Sequence, residues 1–189
     1  EYQRPYVWDK DQVLELLDDV MQARNLNPES EYFLGSMVLQ KKNKQDGTTN
    51  YIEYDLLDGQ QRLTTLFLIT AVVRDLTPST NTSRLKTCYE TIYQMANPDD
   101  NIPERLRVVF DIREQVKDFI NEFVKTEGAT NKEEDLKLKV NEEDISIRNM
   151  SKAILNIREF FKTNSIDDFF PYLRSNVLMI YVCAEDLED

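Results

Sequence analysis

Tyr51-Ile52-Glu53-Tyr54-Asp55-Leu56-Leu57-Asp58-Gly59-Gln60-Gln61-Arg62-Leu63-Thr64-Thr65-Leu66 changes its structural period at Asp58-Gly59. Before that point the β-branched and aromatic content reads as a strand; after it, Leu63 to Val73 is almost wholly apolar and long enough for a buried helix. The pattern is strand, tight turn, helix. Asp58 is the expected N-cap, and Gly59 lets the backbone turn or approach a ligand, so Gln60, Gln61 and Arg62 fall in the first helical turn. Such a turn carries unpaired N–H groups and the positive end of the helix dipole, which suits an anion. Arg62 adds a planar fork of donors matched to phosphate, and two uncharged glutamines can orient a water or a phosphoryl oxygen. The plainer alternative is an Asp-Gly turn followed by a solvent-facing arginine.

Upstream, Tyr32-Phe33-Leu34-Gly35-Ser36-Met37-Val38-Leu39 is strand-like, with Gly35 marking a bulge or a close approach. The polar run Lys41 to Asn50, centred on Asp46-Gly47, folds this strand back onto Tyr51 to Leu57, so a hairpin delivers the chain to Asp58. Residues 1–8 hold Tyr2, Gln3, Arg4, Tyr6 and Trp8 around Pro5, which biases Arg4 toward extended backbone. This segment is either a lip able to stack on a base or hold a phosphate, or a strand whose Tyr6 and Trp8 plug the core. Asp9 or Asp11 then caps an amphipathic helix with Val13, Leu16, Leu17 and Val20 on one face.

Downstream, Asp75 to Ser83 reads as a loop and Arg84 to Met95 as a helix; Arg105 to Ile112 alternates like a strand, and Glu114 to Lys125 is helical. Thr126 to Asp144, dominated by Lys, Glu, Asp and Asn, is expected to be an exposed loop or a frayed helix. Ile145 to Phe161 resumes as a helix, and Ile166 to Leu173 is a short helical piece broken by Pro171. The continuous apolar run Val177 to Val182 resembles a central strand. These patterns predict an α+β protein: a domain over 1–78 built on a small mixed sheet, then a mainly helical subdomain over 79–189.

Composition narrows the chemistry. The 189 residues include 41% hydrophobic ones, enough for a core, and carry a formal charge of −12, so the average field repels nucleic acid. DNA contact would have to come from a local patch or from residues beyond this stretch. There is no histidine, which excludes imidazole bases and histidine-metal nuclease centres within these residues. Cys88 and Cys183 lack metal-like spacing and read as free thiols of a cytoplasmic protein; no membrane span or signal peptide is visible. A start at Glu1 and a finish at Asp189 straight after an apolar strand are what a segment of a longer chain would have.

Three blocks together, Gln3-Arg4-Pro5-Tyr6-Val7-Trp8, Tyr32-Phe33-Leu34-Gly35-Ser36 and Asp58-Gly59-Gln60-Gln61-Arg62-Leu63-Thr64-Thr65-Leu66, resemble the DGQQR-motif domains. These are typified by the S part of GmrSD-type, modification-dependent (type IV) restriction enzymes. The resemblance implies a ParB/sulfiredoxin-like fold in which an early Gln-Arg box and a later Gly-x-x-Arg box cradle a nucleotide. Gln3 and Arg4 match the first box, and Gly59, Gln60, Gln61 and Arg62 the second; Thr64 joins the nucleotide-binding candidates. It also implies binding and hydrolysis of a nucleoside triphosphate with Mg²⁺, coupled to cleavage of modified phage DNA by an HNH-type nuclease on a C-terminal or separate domain. A later asparagine- and glycine-containing segment of the family is absent here. A homodimer is left open.

On this reading Arg62 and the helix amides hold the β and γ phosphates, Gln60 and Gln61 orient the attacking water, and Asp58 binds Mg²⁺ through water or caps the helix. Gln3 and Arg4 close the other side. The same donors would equally serve a sensor that binds a nucleotide or a modified base without chemistry. A third reading makes Arg62 and Asp58 an internal ion pair. Thr64 and Thr65 read as packing hydroxyls and not as nucleophiles, because no activating base is in view.

Overall fold

A computed structural model describes residues 4–46, 49–100, 102–108 and 114–184. In chain order the elements are α1 (Lys10–Leu26), β1 (Tyr32–Asp46), β2 (Thr49–Asp58), α2 (Gln60–Leu76), α3 (Thr82–Ile92), β3 (Tyr93–Gln94) and β4 (Arg105–Leu106). They continue with α4 (Glu114–Phe119), α5 (Glu133–Lys139), α6 (Ile145–Thr163), α7 (Ile166–Ser175) and β5 (Val177–Ala184). The architecture is α+β: a mixed sheet in the order β2-β1-β5, with β2 antiparallel and β5 parallel to β1, beside a helical layer and a small β3-β4 ribbon.

Two side chains start the first helix. Asp9 Oδ1 accepts from Asp11 N, Gln12 Oε1 accepts from Asp9 N, and this capping box starts α1; Arg24 sits in its last turn. Val13, Leu16, Leu17, Val20 and Met21 recur at helical spacing and are buried on the side that meets α6 and α7. The expected hairpin is present, and its Asp46-Gly47 turn reaches a residue, Gly47, outside those described. The sheet register shifts between Phe33 and Gly35, which is the bulge that Gly35 announced.

Several local expectations change. Val177 to Val182 is an edge strand and not the central one: β1 occupies the middle, and Leu178, Ile180, Tyr181 and Val182 are exposed. An apolar run alone cannot tell burial on both faces from an edge. Pro171 does not break α7, which runs through it to Ser175; the proline removes one backbone donor, and burial of Phe169, Phe170 and Tyr172 on either side of it holds the helix together. Of the strand expected over 105–112, β4 takes Arg105–Leu106, and residues 109–113 lie outside the described ones. Helix α4 leads into a π-helical stretch, Ile120–Lys125.

Thr126 to Asp144 is more ordered than its composition indicates. It contains α5, and Leu136 and Thr130 are fully buried. The cause lies at the end of α2. The Arg74 guanidinium donates to Val124 O at 2.7 Å, Lys125 O at 3.3 Å and Thr126 O at 2.8 Å, and to Asp75 Oδ1 at 2.7 Å. The Asp75 carboxylate, wholly buried, also accepts from Gly128 N, Thr130 N and the Thr130 hydroxyl at 2.8–2.9 Å. Side chains from α2 thus replace the hydrogen bonds this polar loop would otherwise make with water.

The core is one cluster that joins Tyr6, α1 and α2 to α3, α4, α6 and α7. Among the described residues no helix is long and apolar enough to cross a membrane. The two thiols differ in setting: Cys88 is buried and Cys183 exposed. Burial pushes the Cys88 thiol up to about 11, against weaker lowering by the Arg74, Arg84 and Arg174 charges. A chromogenic disulfide reagent at pH 8 should therefore titrate Cys183 quickly and Cys88 only after denaturation. Two fast thiols in the native protein would contradict this packing. A thiol whose ionisation is raised on folding contributes stability that is present at neutral pH and lost as pH climbs from the ordinary cysteine range toward 11. Burial raises the Tyr6 phenol too, which adds to the loss at still higher pH.

Candidate anion-binding site

Two glycines let the turn between β2 and α2 lie close to β1: Gly59, which follows β2, and Gly35 inside β1. Gly59, not Asp58, is the N-cap: it adopts φ +89°, and no side chain caps the helix. Asp58 remains in β2, exposed, because the left-handed turn comes one residue later than an Asx cap would need. The first helical bond, Leu63 N to Gly59 O, is 3.0 Å, so the amides of Gln60, Gln61 and Arg62 lie ahead of the ladder. A Cβ on Gly59 would stand 2.9 Å from Met37 Cβ, which explains how α2 starts so close to β1.

Gly35, at φ +131°, makes the second close approach. A Cβ there would lie 2.8 Å from Arg62 Nη1 and 2.9 Å from Cζ, so the guanidinium rests directly on the β1 backbone. Arg62 Nη1 donates to Ser36 O at 2.8 Å. Among the described residues no carboxylate pairs with Arg62, so Asp58 and Arg62 do not form an internal ion pair. In a chain with 35 acidic residues against 23 basic ones, a partly exposed arginine held by a carbonyl alone keeps its charge available.

Gln61 brings the N-terminal segment to this turn. Its Oε1 accepts from Val7 N at 2.7 Å and Trp8 N at 3.2 Å, and its Nε2 donates to Pro5 O at 2.8 Å. Tyr6 enters the core between these contacts, bonded through its hydroxyl to Thr65 Oγ1 at 2.8 Å and through its N–H to Ser146 Oγ at 3.0 Å. The core-plug reading therefore holds for Tyr6, while the backbone of Pro5, Val7 and Trp8 on either side of it is held by Gln61. Arg4 is exposed at the start of the strap; Gln3 lies outside the described residues.

The other candidates occupy distinct settings. Gln60 Nε2 donates to Leu56 O at 2.6 Å, and its Oε1 is buried without a partner. Thr64 is buried at 4% exposure, in α2. Among the described residues no three His, Cys, Asp or Glu side chains gather as a metal site. Asp58 is a single exposed carboxylate, so this chain would offer Mg²⁺ one oxygen-bearing side chain here. The strap role of Gln61 and the contacts of Ser36 were not legible in sequence, because each joins positions far apart in the chain. Gly35 carried the one local signal.

A turn of unspent amides, an unpaired guanidinium and a strap held by the motif glutamine tie the three sequence blocks into one place. The sequence profile described as GmrSD restriction endonuclease, N-terminal domain matches residues 1–189. No curated protein matches the chain. The chain belongs to the GmrSD restriction endonuclease N-terminal domain family, and so to the proteins of restriction and phage defence.

Proposed function

We propose that this domain binds a nucleoside triphosphate at the start of α2 and passes the bound state to the DNA-cleaving part of a restriction protein. The observation that carries the reading is the Arg62 guanidinium laid over Gly35, with only a backbone carbonyl as partner, beside the uncapped amides of Gln60, Gln61 and Arg62. Arg62 and those amides bind the β and γ phosphates, and Gly59 gives them access. Arg4, exposed at the start of the strap that Gln61 holds, closes the other side of the ligand. Gln61, with both ends of its amide used, is a positioning residue; Thr64 is buried in α2. Asp58 is the residue that would hold Mg²⁺, which when bound would supply neutralising charge for the phosphates.

Hydrolysis is the second reading: Gln60 Oε1 is an acceptor without a partner, and a rotation of its side chain out of the buried position would let it accept from an attacking water. The experiment is a thermal-shift panel of nucleoside triphosphates with and without Mg²⁺, followed by single-turnover phosphate release on any that bind. A ligand at a hundred times its dissociation constant should stabilise the fold by roughly 2.7 kcal/mol. Binding with phosphate release supports the enzyme, binding without it the sensor. A flat panel in which no triphosphate raises the transition removes both.

A further inference from the structure

We infer a second binding site, separate from the α2 turn, for a small amphipathic monoanion. Between the sheet and helices α2, α3 and α7 lies a cavity of about 320 Å³, at the lower end of the range for small-molecule sites, roughly 300–1,000 Å³. Its walls are apolar: Leu34, Leu66, Phe170, Leu173, Val177 and Met179. Phe170 and Thr70 are buried, whereas Thr91 and Arg174 stand exposed at the mouth.

The polar atoms define the ligand. The Thr70 hydroxyl donates to Leu66 O at 2.9 Å and the Thr91 hydroxyl to Thr87 O at 2.8 Å, so neither hydrogen is left for a guest. That leaves the Arg174 guanidinium as the donor group of the lining, and among the described residues no acidic side chain pairs with it. Its neighbours differ: Arg84 is bonded to Asp167 at 2.5 Å and Arg74 to Asp75 at 2.7 Å. One cation facing apolar walls selects a ligand with one anionic head and an apolar body, such as an aromatic or branched-acyl carboxylate. Sugars and other molecules with many polar groups would leave them unpaired against Leu and Phe.

The test is calorimetric titration with 2-naphthoate and its uncharged counterpart 2-naphthol. The chain should bind 2-naphthoate at one site, at least about tenfold more tightly than 2-naphthol, the range of a charge-assisted hydrogen bond. Arg174→Gln, at an exposed position, should erase that preference, and Thr91→Trp should plug the mouth and abolish binding of both compounds. Arg62→Ala should leave 2-naphthoate binding unchanged, which separates this site from the triphosphate site. Absence of 2-naphthoate binding, equal affinity for the two compounds, or an unchanged affinity in Thr91→Trp would overturn the inference.

Discussion

Asp75→Asn should destabilise the fold by about 3–5 kcal/mol, the cost of breaking a buried charge pair by removing one partner. The carboxylate accepts four hydrogen bonds from three residues: Arg74 Nε, the Gly128 and Thr130 amides and the Thr130 hydroxyl. An asparagine turns one acceptor oxygen into a donor, so donor faces donor, and Arg74 loses its counter-charge inside the core. Urea denaturation should report the loss as a lower midpoint. If the variant is too unstable to purify, Thr130→Val offers a smaller step of about 1–3 kcal/mol, since it removes one donor and leaves the charge pair. Asp167→Asn, which breaks an ion pair whose carboxylate is 81% exposed, should cost no more than about 1 kcal/mol. Equal effects at Asp75 and Asp167 would mean that the α2 end does not organise the loop.

Gly35→Ala should abolish most triphosphate binding while the domain stays folded. At φ +131° an alanine carries backbone strain of order 1–3 kcal/mol, and its Cβ would meet Arg62 Nη1 at 2.8 Å. The clash is with the far end of a flexible side chain, so the guanidinium gives way and not the sheet. Affinity should fall about 10–100-fold, the value of a charge-assisted hydrogen bond, and Arg62→Ala should fall as far. The double variant should then lose little more, because both changes remove the same contact. Gly59→Ala differs in kind: its Cβ would press on Met37 Cβ and backbone, so stability should fall along with affinity. A Gly35→Ala protein that binds like the wild type would show that the guanidinium position does not matter.

Local chemistry made the hairpin, the Asp9 cap, the start of α2 and the Gly35 bulge readable, because each depends on residues within a few positions. The cap at Gly59 was missed because Asp58 and Gly59 both favour the position, and strand pairing of Asp58 with Val38 decides between them. The order of Thr126 to Asp144 was not legible, since its composition signals solvent while its partners, Arg74 and Asp75, lie some fifty positions away. Within the site, residue types at the turn pointed to anion chemistry. What they could not give was the division of labour between the glutamines: Gln61 serves the backbone of Pro5, Val7 and Trp8, and Gln60 retains an unpaired oxygen.

The most direct test of the phosphate site is calorimetric titration of inorganic tripolyphosphate into the wild-type chain and into Arg62→Ala. The account predicts saturable binding by the wild type that weakens at least about tenfold in the variant, with both proteins equally folded. Identical titrations, or none in the wild type, would contradict it.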